Sequence, residues 1–281
     1  MDMKSLNVGI VGLGLMGGSF ALALKNIYRD THITGYDHND QHCIEALELD
    51  LVDRVTDELS DLKEMDLLIL AIPVDGIISV LSEIESVSPD TTVIDLGSTK
   101  KEIVASVPET LRKNFVAAHP MTGTEKFGPS AAQENLYRGK VVVLCDIEDS
   151  GEYQRKMAKK LFSDMGMKIF YMDAGEHDRH AAYISHMPHA LSYSLANTVM
   201  SQENPKAIIA LAGGGFRDMS RIARSSPNMW VDVFRQNREN LLDAIASLKN
   251  ELEHCEKMVL EKNWDELGEW MKSANGLHDI L

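Results

Sequence analysis

Apolar positions in the first 172 residues gather in short runs rather than long helical stripes. Residues 6–11, 32–36, 65–72, 92–96, 115–118, 141–144 and 168–171 each read as a buried strand bounded by glycine, proline or charge. Helical stretches lie between most of them: one from Phe20, one at 76–85, one ending at Val107 and one at 150–165. This alternation predicts an α/β fold, a Rossmann-type doubly wound sheet. From about Asp173 the alternation stops, and helical patterns fill 176–201, 206–212, 228–261 and 264–274. Two domains are therefore expected, a dinucleotide-binding unit over 1–172 and an all-helical unit over 173–281. The polar segment 126–140 carries Gly128, Pro129 and Gly139 and reads as a loop able to cover a site.

Composition narrows the class. The 44% apolar and 25% charged residues are those of a soluble globular protein, and no run of about eighteen apolar residues exists. The start Met-Asp-Met-Lys is no signal peptide, so a cytoplasmic location is expected. A net charge of −15 argues against nucleic acid and anionic membranes as partners. Cys43, Cys145 and Cys255 lack CxxC spacing and read as reduced packing residues.

Candidate chemistry begins at Gly12-Leu-Gly14-Leu15-Met16-Gly17, which follows the first strand and opens the first helix. Gly12 permits a tight turn, Gly14 lets the backbone approach a pyrophosphate, and Gly17 lets helix and strand pack closely. Asp37 ends the second strand, twenty residues after Gly17. A carboxylate there accepts hydrogen bonds from ribose hydroxyls and repels a 2′-phosphate, so NAD is expected over NADP. Ile72-Pro73, after a later strand, belongs to the loop that commonly meets the adenosine side of such a cofactor.

The run 115–118 ends in His119-Pro120, which places His119 beyond a strand's carboxyl end, where ligands bind in open α/β sheets. Ser98, after another strand, is expected to face the same crevice. Ser98 or Thr99 also reads as a helix N-cap, with Glu102 completing a capping box for Thr99.

In the helical half, His177, His180, His186 and His189 cluster, but no convincing third ligand accompanies them and Pro188 disturbs the register, so no metal is expected. One histidine reaching the site, with the others packed or solvated, is the expectation. Five of the eleven arginines fall between Arg217 and Arg238. Arg217, Arg221 and Arg224 are expected on one helical face, with Asp218 holding the Arg221 guanidinium. A solvated, salt-bridged face accounts for the same spacing. The preceding Gly213-Gly-Gly215 allows a close backbone approach, and an arginine fork suits a carboxylate.

Together, Gly12-Leu-Gly-Leu-Met-Gly-Gly-Ser, Asp95-Leu-Gly-Ser-Thr-Lys, His119-Pro-Met-Thr-Gly-Thr-Glu, His186-Met-Pro-His189 and Gly213-Gly-Gly-Phe-Arg-Asp-Met-Ser-Arg221 through Trp230 resemble prephenate dehydrogenases. The resemblance spans nearly the whole chain. It implies NAD-linked oxidative decarboxylation of prephenate to 4-hydroxyphenylpyruvate. His119 is then the group that takes the hydroxyl proton, and Ser98 orients it and the nicotinamide. Arg221, fixed by Asp218, binds a substrate carboxylate. His189, Thr124, Gly215 and Trp230 contact substrate, and Glu125 gates the entrance. A homodimer through the helical half, with Trp230 reaching towards the partner's site, is also implied. The apolar positions Ile184, Met187, Ala190, Leu191, Leu195, Leu241, Leu242, Ile245 and Leu248 point to the same assembly, being more than one small helical domain buries. Arogenate as substrate stays open. A 3-hydroxyisobutyrate-type dehydrogenase, which needs a catalytic lysine, and an NAD-sensing module are more distant readings.

Overall fold

The computed structural model describes residues 5–280. One sheet has the strand order β3-β2-β1-β4-β5-β6-β7-β8. Six strands run parallel: β1 (Asn7–Val11), β2 (His32–Tyr36), β3 (Arg54–Val55), β4 (Leu67–Leu70), β5 (Thr92–Asp95) and β6 (Phe115–Pro120). β7 (Val141–Cys145) is antiparallel to β6, and β8 (Lys168–Met172) is parallel to β7.

Central parallel strands are buried on both faces, which is why they read as unbroken apolar runs. Leu67 and Ile69 of β4 join a core with α1 (Leu15–Ile27), α2 (Asp40–Glu48) and α5 (Glu152–Asp164). Leu68 and Leu70 face the other way, into a core with α3 (Val74–Ile84) and α4 (Lys101–Ala105). The chain reverses its winding between β1 and β4, and that switch point opens a crevice beyond their carboxyl ends.

Two sequence expectations fail here. The strand after residue 114 does not end before His119 but runs through His119 and Pro120, which pair with Val143 and Val142 of β7. The antiparallel partner extends β6 past its parallel one. Ser98 and Thr99 do not cap α4 either: the N-cap is Lys100, with no side-chain cap of its own. The N–H groups of Lys100 and Lys101 donate instead to Asp178, at 2.8 and 3.0 Å. The Thr99 hydroxyl donates to Gln236 at 2.7 Å. In both cases a group distant in sequence displaces the local one.

Beyond β8 the described chain is helical. α6 (Ala174–Ala181) passes through a π-helical turn, Ala182–His186, into α7 (Met187–Met200). The widened turn precedes Pro188, whose ring cannot sit against the carbonyl four residues back in a regular helix. There follow α8 (Pro205–Ala210), α9 (Gly214–Ser220), α10 (Pro227–Gln236), α11 (Arg238–Leu260) and α12 (Trp264–Asn275). The expected single helix over 228–261 is broken at Asn237, whose side chain donates to the Asp178 carbonyl at 2.7 Å and lies 3.0 Å from His186 Nδ1. The arginines do not share one continuous face, because α9 stops at Ser220 and Arg221–Arg224 form a 3₁₀ turn. Among the described residues, no helix is long and apolar enough to cross a membrane.

Candidate active site

The glycine-rich turn is shaped for a phosphate group. Gly12 has φ +93°, and a Cβ there would meet the Ala71 carbonyl oxygen at 2.5 Å, with Ile72 packed beside it. A Cβ on Gly17 would run into the Gly12 carbonyl, whereas Gly14 opens onto free space, with Gly128 N the nearest atom at 3.9 Å. The backbone of Gly14, Leu15 and Met16 thus forms an open cradle at the positive end of α1, the geometry that receives a pyrophosphate. Asp37 Oδ2 accepts the Leu13 N–H at 2.9 Å, and Oδ1 accepts the Asn39 N–H at 3.0 Å. The carboxylate is thereby held beside the turn, with His42 Nδ1 at 3.3 Å and, among the described residues, no lysine or arginine paired to it. Pro73 caps α3 next to this turn. A dinucleotide fits these residues.

Segment 126–140 does not arch over the site as a free loop. Gln133 N donates to Ser19 Oγ at 2.9 Å and the Tyr137 hydroxyl to the Met16 carbonyl at 2.7 Å, which fastens the segment to α1.

His119 rests on a buried polar platform. The Lys100 ammonium, wholly buried, contacts Asp95 and donates to the Ala118 carbonyl at 2.7 Å. Asp95 accepts the Gly97 N–H at 3.1 Å and the Ala118 N–H at 3.2 Å, which locks the carboxyl ends of β5 and β6 together. The imidazole itself is buried, with Nδ1 2.8 Å from His177 Nε2. Burial holds His119 well below the usual histidine range, and the neighbouring His177, Lys100 and His186 push the same way. His119 is therefore neutral at pH 7 and fit to accept a proton. Ser98 is half-buried in the turn after β5, and its hydroxyl makes no hydrogen bond among the described residues.

The helical half supplies the facing wall. His189 stacks on Trp230 with ring centroids 3.5 Å apart, and burial together with the Arg221 charge lowers its pKa. Trp230 is buried within its own chain, and its Nε1 is enclosed without a hydrogen bond among the described residues. His186 is also enclosed, its pKa pushed down by burial to about 4. Arg221 pairs with Glu125 at 3.6 Å across the chain, so the partner expected in Asp218 is replaced by one on the loop after β6. Both Asp218 and Arg221 line a cleft of about 400 Å³ with Arg217, Arg224 and Phe216. Thr124 is exposed, and its hydroxyl accepts the Lys126 N–H at 3.2 Å. Gly215 lies in the first turn of α9, with open space where a Cβ would sit. Among the described residues no three His, Cys, Asp or Glu side chains converge to hold a metal ion.

The structure thus brings His119 to the histidine group and Arg221 to Glu125. Sequence reasoning named His177 in its cluster without pairing it to His119, and missed Asp178 behind His177 and Lys100 and Asp95 beneath His119. The antiparallel β7 turns the chain back, so α6 starts against the α3–α4 face and delivers His177 from an unexpected direction.

The comparisons agree with this fold. Residues 20–171 match the family model for the prephenate dehydrogenase nucleotide-binding domain, and residues 173–273 match that for the prephenate dehydrogenase dimerization domain. The chain is 32% identical to the prephenate dehydrogenase of Bacillus subtilis over 287 aligned positions, covering 100% of this chain and 77% of the relative. It is similar to the crystal structure of prephenate dehydrogenase from A. aeolicus in complex with hydroxyphenyl propionate and NAD+, with a TM-score of 0.89, 35% identity, and 98% and 97% of the two chains covered. It is also similar to Synechocystis arogenate dehydrogenase, with a TM-score of 0.80, 28% identity, and 97% and 99% covered.

Proposed function

Because the chain belongs to the prephenate dehydrogenase family, we propose that it oxidises and decarboxylates prephenate to 4-hydroxyphenylpyruvate with NAD. The observation that carries this reading is the buried, neutral His119 at the carboxyl end of β6, in a chain that also holds a dinucleotide cradle and an arginine-lined cleft tied to the loop after β6 by Arg221 and Glu125. When bound, the nicotinamide accepts hydride from the ring carbon that bears the hydroxyl. His119 takes the hydroxyl proton as that hydride leaves. Loss of the ring carboxylate as carbon dioxide then sends the bonding pair into the ring, and the proton returns from His119 to the phenolic oxygen. No net proton is released, so an enclosed base that gives back what it takes is sufficient.

Arg221 is the candidate for a substrate carboxylate. Its contact with Glu125 is long and more than half exposed on the arginine side, so an incoming carboxylate exchanges for Glu125 at little cost. In this reading Glu125 gates the cleft by that exchange, Asp218 lies on its wall, and Thr124 and Gly215 are further candidate contacts outside that lining. The stacked His189 and Trp230 stand near Arg221, and with its Nδ1 hydrogen given to the Ser185 carbonyl at 2.9 Å, His189 keeps an acceptor for the substrate. Ser98, whose hydroxyl is unpaired among the described residues and makes no hydrogen bond to His119, is the candidate to meet the nicotinamide. Two copies pair through the helical half, as its exposed apolar residues favour.

Likeness to an arogenate dehydrogenase makes the amino analogue the competing substrate. NADH formation with prephenate and with arogenate, each with NAD at saturation, distinguishes them. The expected result is a higher kcat/KM with prephenate. Preference for arogenate would move the assignment to that substrate, and turnover of neither would end it.

A further inference from the structure

His119 has two ring nitrogens, and the row of groups behind it decides which one holds the proton. Its Nδ1 lies 2.8 Å from His177 Nε2, and His177 Nδ1 lies 2.8 Å from Asp178 Oδ1. All three residues are buried. A neutral imidazole has one N–H and one lone pair, so fixing one end of the row fixes the rest.

Asp178 is that end. Burial disfavours its charge, but the hydrogen bonds from His177 and from the Lys101 and Lys100 N–H groups prevail and hold the carboxyl below the usual carboxylate range. An ionised carboxylate only accepts hydrogen bonds. With His177 neutral as well, its Nδ1 carries the hydrogen facing Asp178, its Nε2 accepts, and His119 Nδ1 donates. The lone pair is left on His119 Nε2, which has no protein partner among the described residues and is not sealed from solvent.

The same carboxylate joins the two halves of the chain. Asp178 belongs to α6, yet it caps α4 of the nucleotide-binding half through Lys100 and Lys101. Its carbonyl accepts from Asn237, at the break between α10 and α11. We propose that Asp178, acting through His177, is a positioning residue that fixes His119 as the Nδ1–H tautomer and presents Nε2 as the proton acceptor, and that it does so while the helical half is docked. This rests on the reading of His119 as the base. The charged and titratable groups that face His119 are His177 and Asp178 from α6, Lys100 with Asp95 from the β5–α4 turn, and His186 from the widened turn.

The test is ¹⁵N NMR of the full-length protein labelled at histidine, without substrate, combined with kinetics. His119→Asn identifies the His119 signals. Wild-type protein is expected to show His119 protonated at Nδ1. In Asp178→Asn the amide can donate to His177 Nδ1, which reverses the row and moves the His119 proton to Nε2. Turnover should then fall by about a hundredfold or more, as when an acidic orienter of a histidine base is made neutral, while the KM for NAD changes little. The acid limb of the residual activity should move to lower pH, because a negative charge behind the base is gone. A purely structural cap would lower stability and leave tautomer and limb in place.

Should Asp178→Asn not fold, His177 provides the second comparison. A glutamine can accept from His119 and donate to Asp178, so His177→Gln should keep at least about tenfold more turnover than His177→Leu. The proposal is overturned by a wild-type His119 protonated at Nε2, by an Asp178→Asn enzyme with unchanged tautomer and limb, or by equal loss in the two His177 variants. The tautomer is read without substrate, so a wild-type protein that turns over no prephenate refutes the functional reading alone.

Discussion

At the scale of single residues, Asp37 is the proposed determinant of the cofactor choice. Its carboxylate is anchored by the Leu13 and Asn39 N–H groups, so it faces the ribose position already oriented. Replacement by alanine removes both the repulsion of a 2′-phosphate and an anchor of the glycine turn. The NAD over NADP preference in kcat/KM should narrow by at least about tenfold, or about 1.4 kcal/mol. Measuring both efficiencies in wild type and Asp37→Ala checks this, and an unchanged ratio would remove Asp37 from the role. Residues of this kind were legible in the sequence because their geometry is local: Gly12, Gly14 and Gly17 act within one turn, and Asp37 ends the adjacent strand. The pairing of His177 with His119 was not legible, since the two lie 58 positions apart.

At the scale of elements, the junction of β5, α4 and β6 shows where local signals mislead. A serine and a threonine ahead of a helix with a glutamate in register read as a capping box, but the caps come from Asp178 on another element. The reason is the Lys100–Asp95 pair. Its lysine side chain is wholly buried and tied to the Ala118 carbonyl, so the turn is committed to the core rather than to its own side-chain caps. Lys100→Met leaves Asp95 buried without its cation and should cost about 3–5 kcal/mol of stability. Denaturant unfolding measures this, and the double variant Lys100→Met, Asp95→Asn should recover part of the loss. A loss below about 1 kcal/mol in the single variant would show that the pair does not hold β5 to β6. The other element types were clear from periodicity, apart from α2 and β3, which were not expected. The break at Asn237 was not, because it depends on hydrogen bonds to Asp178 and His186.

At the scale of the whole molecule, the helical half leaves apolar surface unburied. Of the positions expected to drive assembly, Leu241 is buried, but Ile184 and Leu242 stay 66% and 46% exposed; Leu211, outside that set, reaches 88%. Exposed apolar side chains on this scale favour association over solvation. Light scattering at micromolar concentration should give twice the mass of the 31.3 kDa chain. A monomer at that concentration would contradict the assembly. The division into a sheet half and a helical half was readable from periodicity alone. How the halves meet was not, because the contacts that join them are single polar side chains.

One measurement bears most directly on the central claim, that a buried, neutral His119 takes the hydroxyl proton. It is the pH dependence of prephenate oxidation, followed as NADH, for wild type and His119→Asn. A base is active when unprotonated, so activity is lost as pH falls through its pKa, and burial places that pKa well below the ordinary value of 6.5. Wild type should therefore hold full turnover at pH 6.5 and lose it at distinctly lower pH. His119→Asn should lose about a hundredfold to ten-thousandfold in kcat and bind NAD nearly as before. Near-normal turnover in His119→Asn, with the acid limb where wild type has it, would contradict the account.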